Sequence, residues 1–202
     1  MRLGKEAMEA LQAEITGRLI PGDELLVAGA IALEGTEQIV KKEFDFLSSF
    51  FSEGFLYEAL MLQKKYGVGR EPKKSQAWAL AEEYGASALY AMGEGGVLSA
   101  LWKMAEASQV GLGADLRKIP VRQETIEITE KYEIDPYRLA SKGALLIGIS
   151  GGQGLAEEYL RRGIPAAVIG QTNKGNDRLL FSGENVRYLD RPREDEIKKI
   201  FK

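Results

Sequence analysis

The sequence of 202 residues contains no cysteine and no histidine. Without cysteine, disulfides, thiolate nucleophiles and cysteine-ligated metals are excluded. Without histidine, the commonest general base and the commonest metal-ligating side chain are missing as well. Any chemistry carried out by this chain therefore depends on carboxylates, lysine, tyrosine, hydroxyl groups or backbone N–H groups.

A strong charge of one sign and long apolar runs are also missing. The net charge is -3 and the pI is about 5.3, so the chain lacks the basic footprint of a nucleic-acid-binding protein. No apolar run is long enough to span a membrane, and Glu6, Glu9 and Glu14 argue against a signal peptide. We therefore expect a cytoplasmic protein that binds neither nucleic acid nor a membrane.

What is present is the composition of an ordinary globular domain, with 45% hydrophobic and 28% charged residues. The length suits one sizeable domain with an added segment. Residues 3–19 place Leu3, Leu11, Ile15 and Leu19 at helical spacing. We accordingly divide the chain into an N-terminal amphipathic helix, residues 1–19, and one domain, residues 20–202.

Predicted strands and helices alternate irregularly after residue 20. Apolar runs bounded by turn residues predict strands at 24–33, 86–91, 109–116, 144–150 and 166–170, and a hairpin of 178–181 with 186–189. Helical periodicity predicts helices at 37–51, 55–66, 75–84, 97–108, 121–132, 155–162 and 193–201. This intermixing predicts an α+β fold in which helices cover a mixed β-sheet.

Two glycine-rich stretches, residues 93–96 and residues 151–154, each lie between a predicted strand and a predicted helix. Helix N-termini carry unpaired backbone N–H groups and a positive dipole end, so glycines there allow a phosphate to approach. Neither stretch is a Walker loop or a dinucleotide-binding fingerprint. The alternative is a tight turn in which only glycine tolerates the backbone angles, and the pattern alone favours it. Glu94 would also repel phosphate.

Two further segments are candidates for ligand contacts. Glu34-Gly35-Thr36 follows a strand, and Thr36 is either a helix N-cap or a ligand contact, with the N-cap favoured. Lys142-Gly143 precedes a strong strand, where Lys142 either meets a phosphate or is merely solvated. The acidic residues show no spacing that marks a metal site, and we predict none.

Several short elements together resemble a known family. Residues 88–122 are similar to the central segment of AIR synthase-related proteins and hydrogenase maturation factors, in which paired glycines open a helix and an Ile-Pro-Val-Arg element follows one strand later. The later landmarks are residues 135–139, 141–143 and 167–170, and the earlier ones are residues 21–23 and 34–36. The resemblance covers roughly residues 18–201 and points to the C-terminal domain of the AIR synthase superfamily.

The resemblance implies a C-terminal domain that closes over an active site and contributes glycine-rich backbone to it. In complete members, an N-terminal domain supplies acidic metal ligands and most of the ATP site, and the proteins are typically dimers. Gly95 and Gly96 match the family's paired glycines, and Glu94 matches the Glu or Arg before them. The chain departs from the pattern at Gly93, where relatives have threonine, and at residues 91–92, where relatives have an acidic residue.

These departures favour a binding role. About 20 residues precede the domain, too few for an ATP-binding domain, and the C-terminal tail lacks the cysteine that maturation factors modify. We expect a stand-alone domain that is not catalytic by itself and binds a phosphate-bearing or nucleotide-like ligand or a partner protein. The predicted ligand-binding residues are Gly93, Glu94, Gly95, Gly96, Glu34, Gly35, Thr36, Lys142 and Gly143.

The alternative is one part of an ATP-dependent AIR synthase-related or maturation-type enzyme, with the ATP-binding domain on a separate chain or missing from this sequence. ATP and Mg²⁺ are expected as cofactors only in that case. The expected protein partners are a second copy of the chain, forming a homodimer, or an ATP-binding-domain protein.

Overall fold

Eight strands form one mixed sheet in the computed structural model, which describes residues 3–201. The strands are β1 (Thr16–Gly17), β2 (Glu24–Ala28), β3 (Ala88–Ala91), β4 (Gly111–Asp115), β5 (Leu145–Ile149), β6 (Ala166–Asn173), β7 (Arg178–Ser182) and β8 (Asn185–Tyr188). Their spatial order is β1-β3-β5-β2-β6-β4-β7-β8. Neighbouring strands are antiparallel except β4 and β7, which are parallel.

Helices cover both faces of this sheet. They are α1 (Lys5–Glu14), α2 (Leu33–Lys42), α3 (Phe44–Leu47), α4 (Glu53–Ala59), α5 (Leu62–Tyr66), α6 (Gln76–Glu83), α7 (Gly96–Ser108), α8 (Gln123–Lys131) and α9 (Gln153–Arg161). Short 3₁₀ turns occur at Pro72–Lys74, Leu116–Lys118, Pro136–Arg138 and Glu196–Lys199. The predicted α+β class, a mixed sheet covered by helices, is confirmed.

The two faces of the sheet belong to two separate apolar clusters, because successive strand side chains point to opposite faces. In β2, Leu25 and Val27 pack into the larger cluster, together with residues of α2, α7 and α8. Leu26 and Ala28 pack into the smaller cluster, with residues of α6 and α9. Burial on both faces explains why β2 and β5 have continuous apolar sequences instead of alternating ones.

The strand that was predicted for residues 24–33 is too long. Strand β2 ends at Ala28 because Gly29 adopts a φ of +82° and turns the chain out of the ladder. The next two amides donate to carbonyls outside the sheet, Ala30 N to Tyr66 O and Ile31 N to Pro120 O. The apolar residues that followed the strand in sequence therefore belong to a buried connection and to the start of α2.

Two long predicted helices are each broken in the structure. The helix predicted at 37–51 is α2, which starts earlier at Leu33, followed by the single turn α3, and Glu43 between them leaves helical geometry. The helix predicted at 55–66 is α4 and α5, separated at Leu60 and Met61. The helix predicted at 193–201 is only a 3₁₀ turn. In each case the apolar residues have helical spacing, but the backbone does not form one continuous α-helix.

The predicted N-terminal helix is shorter than residues 3–19. Helix α1 ends at Glu14, because Thr16 and Gly17 pair with β3 as the edge strand β1. Gln12 Nε2 also donates to Ala107 O at 3.2 Å, which attaches α1 to α7. Met1 and Arg2, which the predicted segment 1–19 includes, lie outside the described residues. Across residues 3–201, the helices are too short or too polar to span a membrane.

Candidate functional site

The three segments predicted to contact a ligand lie at the same edge of the sheet. Strands β3, β5 and β2 are neighbours, and β5 runs antiparallel to both of the others. The end of β3, which leads to Gly93, therefore lies beside the start of β5, which Lys142-Gly143 precedes, and beside the end of β2, which leads to Glu34. We call this the glycine edge and define it by residues 34–36, 93–96 and 142–143.

Residues 139–141 connect the parts of the glycine edge through hydrogen bonds. Ser141 N donates to Gly93 O at 3.1 Å, and Gly35 N donates to Ala140 O at 3.0 Å. Ser141 Oγ accepts from Ala32 N at 2.8 Å, at the start of α2. The starts of α2 and α7 are thus held on opposite sides of one extended strip of backbone.

Close packing explains two of the predicted glycines without any ligand. A Cβ added to Gly96, whose φ is +62°, would lie 2.5 Å from Tyr137 O. A Cβ added to Gly35 would lie 2.3 Å from the Leu139 side chain. Both distances are far below contact distance, so at these two positions glycine is required because backbone or core side chains approach closely.

An anion does bind the start of α7, but it comes from the same chain. Gly95 N donates to Asp195 Oδ2 at 2.7 Å, and this hydrogen bond is buried. The other carboxylate oxygen of Asp195 accepts from Ile197 N at 3.0 Å. The carboxylate of the C-terminal segment therefore uses one of the amides that a phosphate would use, while Glu94 is exposed.

The second glycine-rich stretch, residues 151–154, lies at the opposite edge of the sheet, after β5. Its amide is paired in the same way, since Gly152 N donates to Glu24 Oε2 at 2.6 Å. Glu24 belongs to β2, the strand beside β5. Both glycine-rich helix starts are therefore neutralised by carboxylates of the chain itself.

Thr36 is not a helix N-cap, contrary to the favoured prediction. Helix α2 begins three residues earlier, with Ala32 as its N-cap at a φ of +59°. Thr36 is fully buried in the first turn, where its hydroxyl donates to Ala32 O at 2.8 Å and lies 3.0 Å from Thr125 Oγ1. These contacts satisfy the hydroxyl within the core.

A cavity of about 470 Å³ lies beside the glycine edge. Its lining residues come from α2, from the link between α4 and α5, from α5 and from the loop that follows: Glu37, Leu60, Met61, Gln63, Lys64, Gly67, Gly69 and Arg70. Gln63 Nε2 donates to Lys142 O at 3.2 Å, and Val68 N donates to Gly143 O at 2.8 Å. These bonds connect the cavity wall to the glycine edge, while Lys142 itself is exposed.

Glu37 is the cavity residue with the most unusual electrostatic environment. Its Oε1 accepts from Gln63 N at 2.6 Å. Partial burial raises the pKa of its carboxyl group above the ordinary 4.5, although the hydrogen bond from Gln63 and the charge of Arg70 oppose the change. Glu37, Gln63 and Arg70 are not among the ligand-binding residues predicted from the sequence. The position of Glu37 one helical turn after Glu34 was a signal that pointed to this face.

Acidic side chains elsewhere do not assemble into a metal centre. Among residues 3–201, no three carboxylates come together in a way that would hold a metal ion. The polar groups around the cavity are suited to hydrogen bonding and charge pairing with a small ligand.

The mixed eight-stranded sheet, the helices on both faces and the glycine-opened helix α7 define an α+β domain. The chain belongs to the family described as AIR synthase related protein, C-terminal domain, which matches residues 21–180. This confirms the resemblance found in the sequence. No curated protein matches the chain.

Solved structures of larger proteins share the fold. E. coli HypE, a hydrogenase maturation protein, is 23% identical with a TM-score of 0.67, over 90% of this chain and 53% of that one. A HypE structure in complex with ATP is 19% identical with a TM-score of 0.61, over 89% and 53%. Thiamine monophosphate kinase from Aquifex aeolicus is 19% identical with a TM-score of 0.56, over 83% and 53%. The chain spans about half the length of each.

Proposed function

We propose that this domain is not catalytic by itself and binds a small phosphate-bearing or nucleotide-like ligand at the cavity beside the glycine edge. The observation that carries the proposal is the position of this cavity, whose walls are hydrogen-bonded to the segment containing Lys142 and Gly143. Its volume of about 470 Å³ lies in the range of small-molecule sites.

Cationic groups around the cavity support an anionic ligand. Lys64 and Arg70 line the cavity, and the exposed Lys142 belongs to the glycine edge beside it. A guanidinium group pairs with phosphate through two parallel hydrogen bonds, which makes Arg70 the leading candidate for the phosphate contact. Glu34 and Glu37 oppose an unaccompanied phosphate, so a ligand that carries Mg²⁺ fits this mixture of charges better.

The absence of catalysis by the domain alone is proposed from the residues available. The glycine edge contains no pair of side chains arranged as a nucleophile and its base, and α7 opens on backbone groups whose Gly95 amide is already paired with Asp195. In this proposal the domain contributes to ligand binding through the shape of the cavity, backbone amides and positive charge. A homodimeric state and a cytoplasmic location remain part of the proposal and follow from the family resemblance and the composition.

Thermal denaturation tests the ligand proposal. The melting temperature is measured alone and with ATP, AMP or inorganic phosphate, each with and without Mg²⁺. A ligand at 100 times its Kd stabilises the fold by about 2.7 kcal/mol, which gives a clear shift. Arg70→Gln should remove most of the shift, whereas Arg18→Gln, an exposed arginine outside the cavity, should retain it. Equal shifts in both variants, or no shift with any of these compounds, would contradict the proposal.

A second candidate is one part of an ATP-dependent enzyme whose ATP-binding domain is supplied by another polypeptide segment. The specific observation in its favour is that the chain covers only 53% of a HypE structure solved with ATP. The test compares ATP hydrolysis by this chain alone with hydrolysis after addition of an ATP-binding-domain protein from the same organism. Hydrolysis only by the mixture would support the enzyme role, and hydrolysis by the chain alone would contradict the non-catalytic proposal.

A further inference from the structure

An unusual concentration of aromatic residues is exposed on α3, α4 and the loop between them. The face is defined by Phe46, Phe50 and Tyr57, with Phe44 and Tyr132 beside them, and we call it the aromatic face. Phe46 and Phe50 are each 49% exposed, and Tyr57 is 57% exposed. Exposed apolar patches of this kind mark interaction surfaces in soluble domains.

The rings of the aromatic face contact one another. The ring centroids of Phe46 and Phe50 are 5.2 Å apart, and those of Phe46 and Tyr132 are 6.1 Å apart. Phe44 and Tyr57 form a further pair at 5.5 Å. The rings therefore form two groups, and the exposed Phe46 and Phe50 together make one continuous apolar patch.

The surroundings of the aromatic face are acidic. Residues 43–61 contain four acidic residues and no lysine or arginine: Glu43, Asp45, Glu53 and Glu58, of which Glu58 is already paired with Lys65. Glu127, Glu130 and Glu133 line an adjacent cavity of about 480 Å³, together with Phe51 and Lys131. A partner that covers this surface must supply positive charge, because buried unpaired carboxylates would oppose binding.

Lys131 shows the type of contact that this surface favours. Its ammonium nitrogen lies 3.2 Å from the centroid of the Phe50 ring, a cation–π contact. The hydroxyl of Tyr132 is buried and has no hydrogen-bond partner among the described residues, and burial together with Glu43 raises its pKa to about 12. The surface thus offers ring faces and carboxylates to a cation.

We propose that the aromatic face and its acidic border bind a protein segment that is both basic and apolar, such as an amphipathic helix with lysine or arginine beside leucine. Apolar residues of the segment would cover Phe46 and Phe50, and its cations would pair with Glu130 and Glu133. A second copy of this chain fits less well, because it would bring acidic borders together. The proposal is independent of the ligand proposal, since Phe46, Phe50, Glu130 and Glu133 do not line the ligand cavity.

The test uses a fluorescent model peptide of about 15 residues with leucine and lysine at amphipathic helical spacing, and a matched peptide with glutamate in place of lysine. Fluorescence anisotropy measures binding to the full chain. We expect the lysine peptide to bind at least tenfold more tightly than the glutamate peptide, and its binding to weaken as salt is raised.

Two variants assign the binding to this surface. The double variant Phe46→Ser, Phe50→Ser and the double variant Glu130→Gln, Glu133→Gln should each weaken binding of the lysine peptide at least fivefold. The control Tyr84→Ser, Leu160→Ser removes apolar groups that are 43% and 56% exposed elsewhere, and it should bind as the parent does. Circular dichroism confirms that each variant is folded.

Three outcomes would overturn the proposal. The first is equal binding of the two peptides, and the second is unchanged binding by both surface variants. The third is sedimentation showing that the parent chain is a dimer that Phe46→Ser, Phe50→Ser converts to monomer while the lysine peptide does not bind. That result would assign the aromatic face to a second copy of the chain.

Discussion

At both glycine-rich helix starts a backbone amide is paired with a carboxylate of the same chain. The two starts differ in the part of the fold that supplies this carboxylate. At α9, the Gly152 amide is paired with Glu24, and Glu24 is fixed in β2 next to the strand that precedes α9. At α7, the Gly95 amide is paired with Asp195, which comes from a C-terminal segment that contains only a 3₁₀ turn. One carboxylate is built into the sheet, and the other is attached from outside it.

This difference shows why a glycine-rich helix start is weak evidence for a phosphate site. The dipole and the free amides do attract an anion, but a carboxylate of the same chain satisfies them as well. The two starts are distinguished by how readily the internal carboxylate could be replaced. The α7 start, at the glycine edge, is the one whose carboxylate could leave without disturbing the sheet.

The largest effect should come from Gly96→Ala at the α7 start. The new Cβ would lie within 3 Å of Tyr137 O and Leu139 O at a positive φ, so either the strip of residues 139–141 or the helix start must move. We expect a loss of about 3 kcal/mol or more, or failure to fold. Urea denaturation measures the loss. A loss below about 1 kcal/mol would mean that this close approach is not rigid.

The next largest effect is the loss of stability when each of the two carboxylates is removed. Asp195→Ala leaves a buried amide without a partner and should lower the free energy of unfolding by about 2 kcal/mol. Glu24→Ala affects a partly buried amide and should cost about 1 kcal/mol. Hydrogen exchange should speed up at Gly95 together with residues 190–201 in the first variant, and only near Gly152 in the second. Exchange that is unchanged after residue 190 would show that the C-terminal segment is held independently of Asp195.

A smaller effect concerns Glu37, whose carboxyl group lines the cavity beside the glycine edge. The pKa of Glu37 is raised above 4.5 in the fold, so the protonated form is favoured there. The stability it contributes is complete below pH 4.5 and is lost as pH rises through the raised pKa. Glu37→Gln should therefore raise the melting temperature at pH 7 and leave it nearly unchanged at pH 4.

The control for this pH dependence is Glu83→Gln, an exposed residue of α6. It should show no comparable difference between the two pH values. Destabilisation by Glu37→Gln at pH 7 would instead indicate that the ionised carboxylate is needed to accept the hydrogen bond from Gln63.

The smallest effect is a stabilisation at the α9 start. Gly154 lies inside the helix, and an added Cβ meets no atom within 4 Å. Gly154→Ala should therefore raise stability by about 0.5 kcal/mol, through helix propensity and a less flexible unfolded chain. The opposite signs expected for Gly96→Ala and Gly154→Ala would separate a required glycine from a tolerated one. A loss of stability in Gly154→Ala would mean that glycine is also required at the start of α9.

The sequence was sufficient to predict the class of fold because β2 and β5 are buried on both faces and have continuous apolar runs. The breaks at Glu43 and at residues 60–61 could not be predicted, since the apolar spacing continues across them and only packing interrupts the backbone. The three segments of the glycine edge were selected from the sequence as separate candidates, and only the pairing of β3, β5 and β2 shows that they lie together. Its cavity was missed, because Glu37, Gln63 and Arg70 become neighbours only when α5 folds back against α2.

The pairing of Gly95 with Asp195 also has a consequence for the order of folding. The two residues are 100 positions apart, so Asp195 is synthesised 100 residues later than Gly95. Strands β2, β3 and β5 can pair and α7 can form well before that moment, because domains assemble progressively as they are synthesised. The start of α7 should therefore be the last part of the glycine edge to be completed, and until then its amide is available to water, to an ion or to a binding partner.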